Sequence, residues 1–187
     1  MSISEVNKAL AVLENQKILL YPTDTVWGIG CDATFEETVA KVFKIKQRVE
    51  SKSLIILVDS IEMLKQYIPN IPNAVMLLLK TTTDPTTIIY NNPVGLAKNV
   101  VSSENTVAIR IVKNEFCEQL IKKFGKPIVS TSANISGKPT PKSYAEIPKT
   151  ILECVDYIVD LQQEEINEKS STILKLDAHD KIIVLRK

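Results

Sequence analysis

The sequence predicts an α/β protein built on an open, twisted, mixed β-sheet with helices packed on it. Two observations carry this expectation. Strand-like β-branched runs and amphipathic helical patterns are interleaved through most of the chain, and strand-like runs then cluster near its C-terminal end. A length of 187 residues with 44% hydrophobic residues suits one domain, residues 1–187, with enough apolar material for a sizeable core.

Ser2 and Glu5 have capping-box spacing, and Val6, Ala9, Leu10 and Leu13 follow on one helical face, which starts the first helix. Lys17 to Tyr21 is a short apolar run stopped by Pro22. It reads as a buried strand entering a loop that continues through Thr23-Asp24-Thr25 to Gly28 and Gly30. Thr34 and Glu37 form a second capping box ahead of Val39, Val42 and Phe43. Leu54 to Val58 suits a central strand, and Asp59 with Glu62 opens a helix that ends before Pro69. Ala74 to Lys80 fits helix or strand, whereas Thr86 to Tyr90 and Thr106 to Ile111 have the β-branched content of strands. Asn114 caps a helix running to Phe124, with Gly125 at its stop and Pro127 beyond. Ile128 to Thr131 is a strand feeding the polar loop SANISGKPTPKS, and Ser143 begins a short helix. Tyr157 to Leu161, Thr172 to Leu176 and Ile182 to Leu185 are three late strands, and the acidic stretch Gln162 to Lys169 is a solvated, mobile connection.

Lysine and arginine number 23 against 22 aspartates and glutamates, so no global field holds the chain on nucleic acid or an anionic membrane, and any basic surface must be local. Cys31, Cys117 and Cys154 are far apart and lack CxxC spacing, which argues against a disulfide framework or zinc site; they read as buried small hydrophobes. The start MSISEVNKAL lacks a basic segment followed by an apolar run, and no stretch approaches about 18 consecutive apolar residues. The expected location is cytoplasmic, with no membrane partner. His179 is the only histidine and sits in the turn-like LDAHDK, which removes Ser-His-Asp and Cys-His catalysis and most zinc sites. No metal site made of protein side chains is expected.

Three groups of residues offer chemistry. Gly28, Gly30 and Gly137 follow strands, where open α/β sheets bind ligands, although turn geometry alone also accounts for them. KIKQR sets Lys44, Lys46 and Arg48 at a helix end, with Lys52 following; a Lys-x-Arg pair can hold a polyphosphate, or can simply be a solvated helix terminus. SANISG supplies Ser132 and Asn134, whose hydroxyl and amide can donate to phosphate oxygens or form an ordinary turn. Neither a P-loop nor a GxGxxG fingerprint is present, since Gly125-Lys126 lacks the upstream glycine and is followed by Pro127. Catalysis by such a set would be electrostatic.

In this order, YPTDTVWGIGCDA, KIKQR, STSANISGKPT and SSTILKL resemble the YrdC-like family of L-threonylcarbamoyladenylate synthases, over roughly Leu19 to Arg186. The resemblance implies the same open sheet with a large concave, positively charged cavity. It implies a nucleotidyltransferase that takes ATP with Mg²⁺, L-threonine and bicarbonate to threonylcarbamoyl-AMP and pyrophosphate. Transferase proteins would then pass the carbamoyl group to tRNA, and tRNA or double-stranded RNA is a further partner. Residue by residue, the family's Lys-x-Arg falls on Lys46 and Arg48 and its Ser-x-Asn on Ser132 and Asn134, the catalytic set that would contact ATP. Lys52, Thr140 and Arg186 join the ATP contacts. Thr25, Thr23, Thr87, Ser130 and Ser171 would hold L-threonine, and Trp27 stands where the family usually has tyrosine.

Three departures accompany the match. The family's proline-glycine-proline-leucine-threonine segment is Thr83-Asp84-Pro85-Thr86-Thr87 here, the residues after Arg48 end in Lys52-Ser53-Leu54, and a histidine of some members is replaced by Leu57. The rival readings are a divergent, non-catalytic paralogue that binds structured RNA through the same basic cavity, and a carbamoyl-phosphate-type transferase, whose extra zinc-finger and acylphosphatase-like segments are absent.

Overall fold

A computed structural model describes residues 3–49, 53–167, 169–177 and 181–187. Ser2, Lys52 and His179, expected as a cap, a phosphate contact and a turn residue, lie outside them. The chain order is α1 (Ile3–Glu14), β1 (Leu19–Tyr21), β2 (Gly28–Gly30), α2 (Glu36–Ile45), β3 (Ile55–Val58), α3 (Ile61–Tyr67), α4 (Asn73–Thr81), β4 (Thr86–Asn91), β5 (Thr106–Ile111), α5 (Glu115–Phe124), β6 (Ile128–Ser132), α6 (Lys149–Leu152), β7 (Tyr157–Ile158), β8 (Thr172–Leu176) and β9 (Ile182–Arg186).

The strands form one open mixed sheet in the order β7-β1-β2-β6-β3-β5-β4-β8-β9. At its centre β6 runs antiparallel to both β2 and β3, while β3 and β5 are parallel. β8 reaches past the earlier strands to pair with β4 in parallel, and β9 closes that edge antiparallel to β8. The central strands are buried on both faces, and their Val, Ile and Leu side chains join α1, α2, α3 and α5 in a single hydrophobic cluster. At the opposite edge the Glu5 carboxylate accepts from the Tyr157 hydroxyl at 2.8 Å and the Asp160 amide at 3.0 Å, tying α1 to the chain around β7.

Several local expectations give way to tertiary pairing. Gly28 and Gly30 lie in β2, not in a loop, because β2 is sandwiched between β1 and β6. A Cβ on Gly30 would run into the Val129 carbonyl and the Tyr21 ring, so this strand position requires glycine for close approach. Thr34 does not cap α2, whose N-cap is Phe35 without a side-chain bond; its hydroxyl donates to Asp32 Oδ1 at 2.6 Å instead. α3 is capped by Ser60, whose Oγ accepts from the Met63 amide at 3.1 Å, one residue later than expected. The ambiguous stretch is helix α4, β7 stops at Ile158, and Cys154 is exposed while Cys31 and Cys117 are buried.

Candidate active site

A cavity of about 310 Å³ lies on one face of the sheet across seven adjacent strands, β2 to β9 in sheet order. Strand register explains why its walls line up. Ser130, Ile55, Ala108 and Ile89 are directly paired across β6, β3, β5 and β4, and all four line it. In the next row Arg110, Thr87 and Ile173 are paired across β5, β4 and β8 and also line it. Trp27, Arg48, Ser53, Thr140, Ser171 and Arg186 complete much of the rim. The volume is at the low end of the roughly 300–1,000 Å³ typical of small-molecule sites, and does not by itself establish the large concavity expected.

The wall chemistry is one-sided. Three arginines, Arg48, Arg110 and Arg186, line the cavity with a series of hydroxyls, and none of the described lining residues is an aspartate or glutamate. Such a set suits a ligand rich in anionic oxygens. It does not suit a cation held by protein carboxylates, and no His/Cys/Asp/Glu cluster able to hold a metal occurs among the described residues.

Thr23, Thr25 and Arg110 form one buried group. Thr23 Oγ1 donates to the Val26 carbonyl at 2.8 Å and accepts from the Thr25 amide at 3.0 Å. Its only proton is therefore spent, so in the 3.0 Å contact between the two hydroxyls Thr25 is the donor. Thr25 Oγ1 in turn accepts from Arg110 Nη2 at 3.2 Å and faces the cavity. Thr23 is not among the residues that line the cavity and bonds Thr25 through both the Thr25 amide and hydroxyl. Arg110 is only 3% exposed; Nη2 stands 3.0 Å from Asp24 Oδ1, a distance that makes an ion pair although the two are not aligned for a hydrogen bond. Its Nε is buried without a partner, a donor held in reserve. The motif comparison missed Arg110. The signal was present in TVAIRI, where one charge interrupts a β-branched strand on the same face as Ala108.

The hydroxyls of Thr87 and Ser171, far apart in sequence, meet at 2.8 Å because β4 pairs with the segment at the start of β8. Arg186 reaches back from β9 and donates through Nη2 to the Ser171 carbonyl at 2.8 Å. Leu57, where a histidine was sought, is fully buried beside Arg110 in the strand register and does not line the cavity.

The four residues expected as catalytic divide into two pairs. Arg48 and Ser132 line the cavity, and Arg48 Nη2 donates to the Ser53 carbonyl at 2.9 Å. Burial lowers the pKa of Arg48 from its ordinary value. Lys46 and Asn134 lie behind the wall: Lys46 is 1% exposed and Asn134 7%. The Lys46 ammonium donates to the Ser132 carbonyl, to the Asn134 carbonyl at 2.7 Å and to Asn134 Oδ1 at 3.2 Å. Burial, then repulsion from Arg48, pulls its pKa down to about 7, an effect that the three oxygen acceptors oppose. Asn134 Nδ2 is spent on the carbonyls of Ile135 at 3.1 Å and Lys138 at 2.6 Å, while Ser132 Oγ donates to Asn134 Oδ1 at 2.5 Å.

The chain is an α/β protein whose open mixed sheet carries, on one face, an arginine- and hydroxyl-lined cavity with chemistry suited to a small anionic ligand. Residues 11–187 match the Sua5, YciO and YrdC family, described as telomere recombination, and the chain belongs to that family. It is 36% identical over 149 residues to the threonylcarbamoyl-AMP synthase of Psychromonas ingrahamii, covering 78% of each chain. The structure superposes on Pyrococcus abyssi Sua5 complexed with L-threonine with a TM-score of 0.88 at 28% identity, covering 100% of this chain and 55% of that one. It also shares its fold with Escherichia coli YciO, with a TM-score of 0.85 at 22% identity, 97% of this chain and 88% of that one being covered. This chain thus spans little more than half the length of the Pyrococcus protein.

Proposed function

We propose that this protein is an L-threonylcarbamoyladenylate synthase, which forms threonylcarbamoyl-AMP and pyrophosphate from ATP, L-threonine and bicarbonate for tRNA modification. The observation that carries the reading is the cavity walled by Arg48, Arg110 and Arg186, with no carboxylate among its described lining residues, on the fold of a family whose relatives bear that name. One continuous core supports treating the chain as a single domain. No helix among the described residues is long and apolar enough to cross a membrane, which fits a cytoplasmic enzyme.

In the first step the threonine nitrogen attacks the bicarbonate carbon, and water leaves to give a carbamate. A carbamate oxygen then attacks the α-phosphorus, the bond to the bridging oxygen breaks, and pyrophosphate departs with the electron pair. Among the described residues no histidine or carboxylate lines the cavity to act as a strong base, so positioning and charge neutralisation do the work. Arg48 and Arg186 neutralise phosphate charge, with Ser132 and Thr140 beside them. Arg110 Nε supplies a donor for the carboxylate of threonine next to Thr25, and Thr87, Ser130 and Ser171 line the same end. Mg²⁺ would arrive on the phosphate oxygens of ATP, since the described wall residues offer it no carboxylate. Transferase proteins that carry the product to tRNA, and tRNA itself, are the partners this activity requires.

The reading is tested by omitting one substrate at a time. Pyrophosphate should form only when ATP, threonine and bicarbonate are present together. Equal ATP breakdown without threonine or bicarbonate contradicts it, and salt-sensitive binding of structured RNA without turnover favours a non-catalytic paralogue.

A further inference from the structure

We propose that Lys46 is a positioning residue that holds the loop from Ser132 to Lys138 against the cavity, and that it does not bind the phosphates of the nucleotide. The proposal rests on the synthase reading above and assigns a role within that site. Its first support is stoichiometric. In its protonated form Lys46 has three N–H donors, and three oxygens of Ser132 and Asn134 accept from it. Turning Nζ towards a ligand would strip all three acceptors of a charged donor in a place with almost no access to water.

The second support is the way α2 ends. Gln47 adopts a left-handed conformation with φ of 49°, its amide bonds to the Lys44 carbonyl at 3.0 Å, and the Arg48 amide bonds to the Phe43 carbonyl at 2.9 Å. This is a Schellman reversal, and it turns the chain between two basic residues that would otherwise continue along one helix. Arg48 reaches the cavity wall, whereas Lys46 points under the loop.

The loop is bound to Lys46 at a third place, where the Ser136 amide donates to the Lys46 carbonyl at 2.8 Å. Asn134 relays the hold: its side chain receives Lys46 and the Ser132 hydroxyl on one oxygen and spans to Lys138 with its nitrogen. Lys46 therefore reaches the ligand only through Ser132 and the backbone beside it.

A double-mutant cycle between Lys46→Met and Asn134→Ala separates positioning from phosphate binding, read as kcat/KM for ATP with melting curves alongside. Lys46→Met should lower kcat/KM on the order of 10- to 100-fold. In the Asn134→Ala background, where the loop is already untied, it should add no more than about twofold. The KM for ATP should rise in Lys46→Met enzyme that melts as a folded protein, a change that a loss of folded fraction alone would not produce. Full, additive losses in both backgrounds overturn the proposal while wild-type turnover leaves the synthase reading standing. A wild type that makes no pyrophosphate overturns the reading and the proposal with it. For variants that do not fold, the nucleotide complex of the wild type decides: Nζ should remain on Ser132 and Asn134, and a phosphate oxygen within hydrogen-bond distance of Nζ overturns the assignment.

Discussion

Arg110 is the residue whose environment most directly ties structure to the proposed chemistry. Its charge is paired with Asp24, its Nη2 donates to Thr25, and its Nε is buried without a partner. Arg110→Lys should keep the pairing with Asp24 and therefore the fold, but a point charge cannot reproduce the guanidinium fork. We expect the KM for threonine to rise on the order of tenfold, with the KM for ATP changed by less than about twofold, since one charge-assisted bond is worth about 1.5–3 kcal/mol. Equal effects on both substrates in steady-state kinetics would contradict the threonine assignment. Much of this site was legible as residue types: the motif positions Thr25, Arg48, Thr87, Ser130, Ser132, Thr140, Ser171 and Arg186 all line the cavity. The hydrogen bonds that engage Lys46, Asn134 and Thr23 inside the protein were not legible, because a motif records which residues recur and not which of their donors and acceptors are already used.

At the scale of elements, local chemistry decided the outcome where a side chain could reach its own backbone. Asn114 is such a case: it caps α5 by accepting from the Cys117 amide at 3.1 Å, and Gly125 ends the helix with φ of 70°, both as expected. Asn114→Ala should cost about 1 kcal/mol, measured as a lowered urea midpoint with unchanged m-value; no change in midpoint would mean that the cap contributes nothing. Thr34 had the same local signature and lost it: Asp32 Oδ1 accepts from both its amide and its hydroxyl, and the helix starts one residue later, with Phe35 at the N-cap. Gly28 and Gly30 read as loop because glycine punctuates loops, yet β1 and β6 supply partners on both sides. Nothing within a few residues of them could have announced those partners.

For the whole molecule, the order of elements followed from periodicity, but the order of strands across the sheet did not. β8 pairs with β4 rather than with β7 before it, and that placement is what brings Ser171 to Thr87 and Arg186 to the cavity. Burial of charge also acts on the molecule as a whole. Lys46 falls from the ordinary 10.5 to about 7 in the folded protein, so between these values the unfolded chain holds a proton that the folded one has released, and stability rises with pH. Cys31 is raised by burial from 9.0 to about 12, and Cys117 and Tyr21 are raised as well. Their stabilising contribution is complete below the unfolded values and is lost as pH climbs towards the folded ones. The urea midpoint should therefore increase from pH 7 to pH 9 in the wild type and not in Lys46→Met; the same increase in both would contradict the assignment. The central claim, that one cavity joins threonine, bicarbonate and ATP, is tested most directly by supplying ¹³C-labelled bicarbonate and weighing the adenylate. The account predicts a threonylcarbamoyl adenylate that carries the heavy carbon, released together with pyrophosphate. A threonine adenylate without that carbon, or pyrophosphate released with no labelled adenylate, would contradict it.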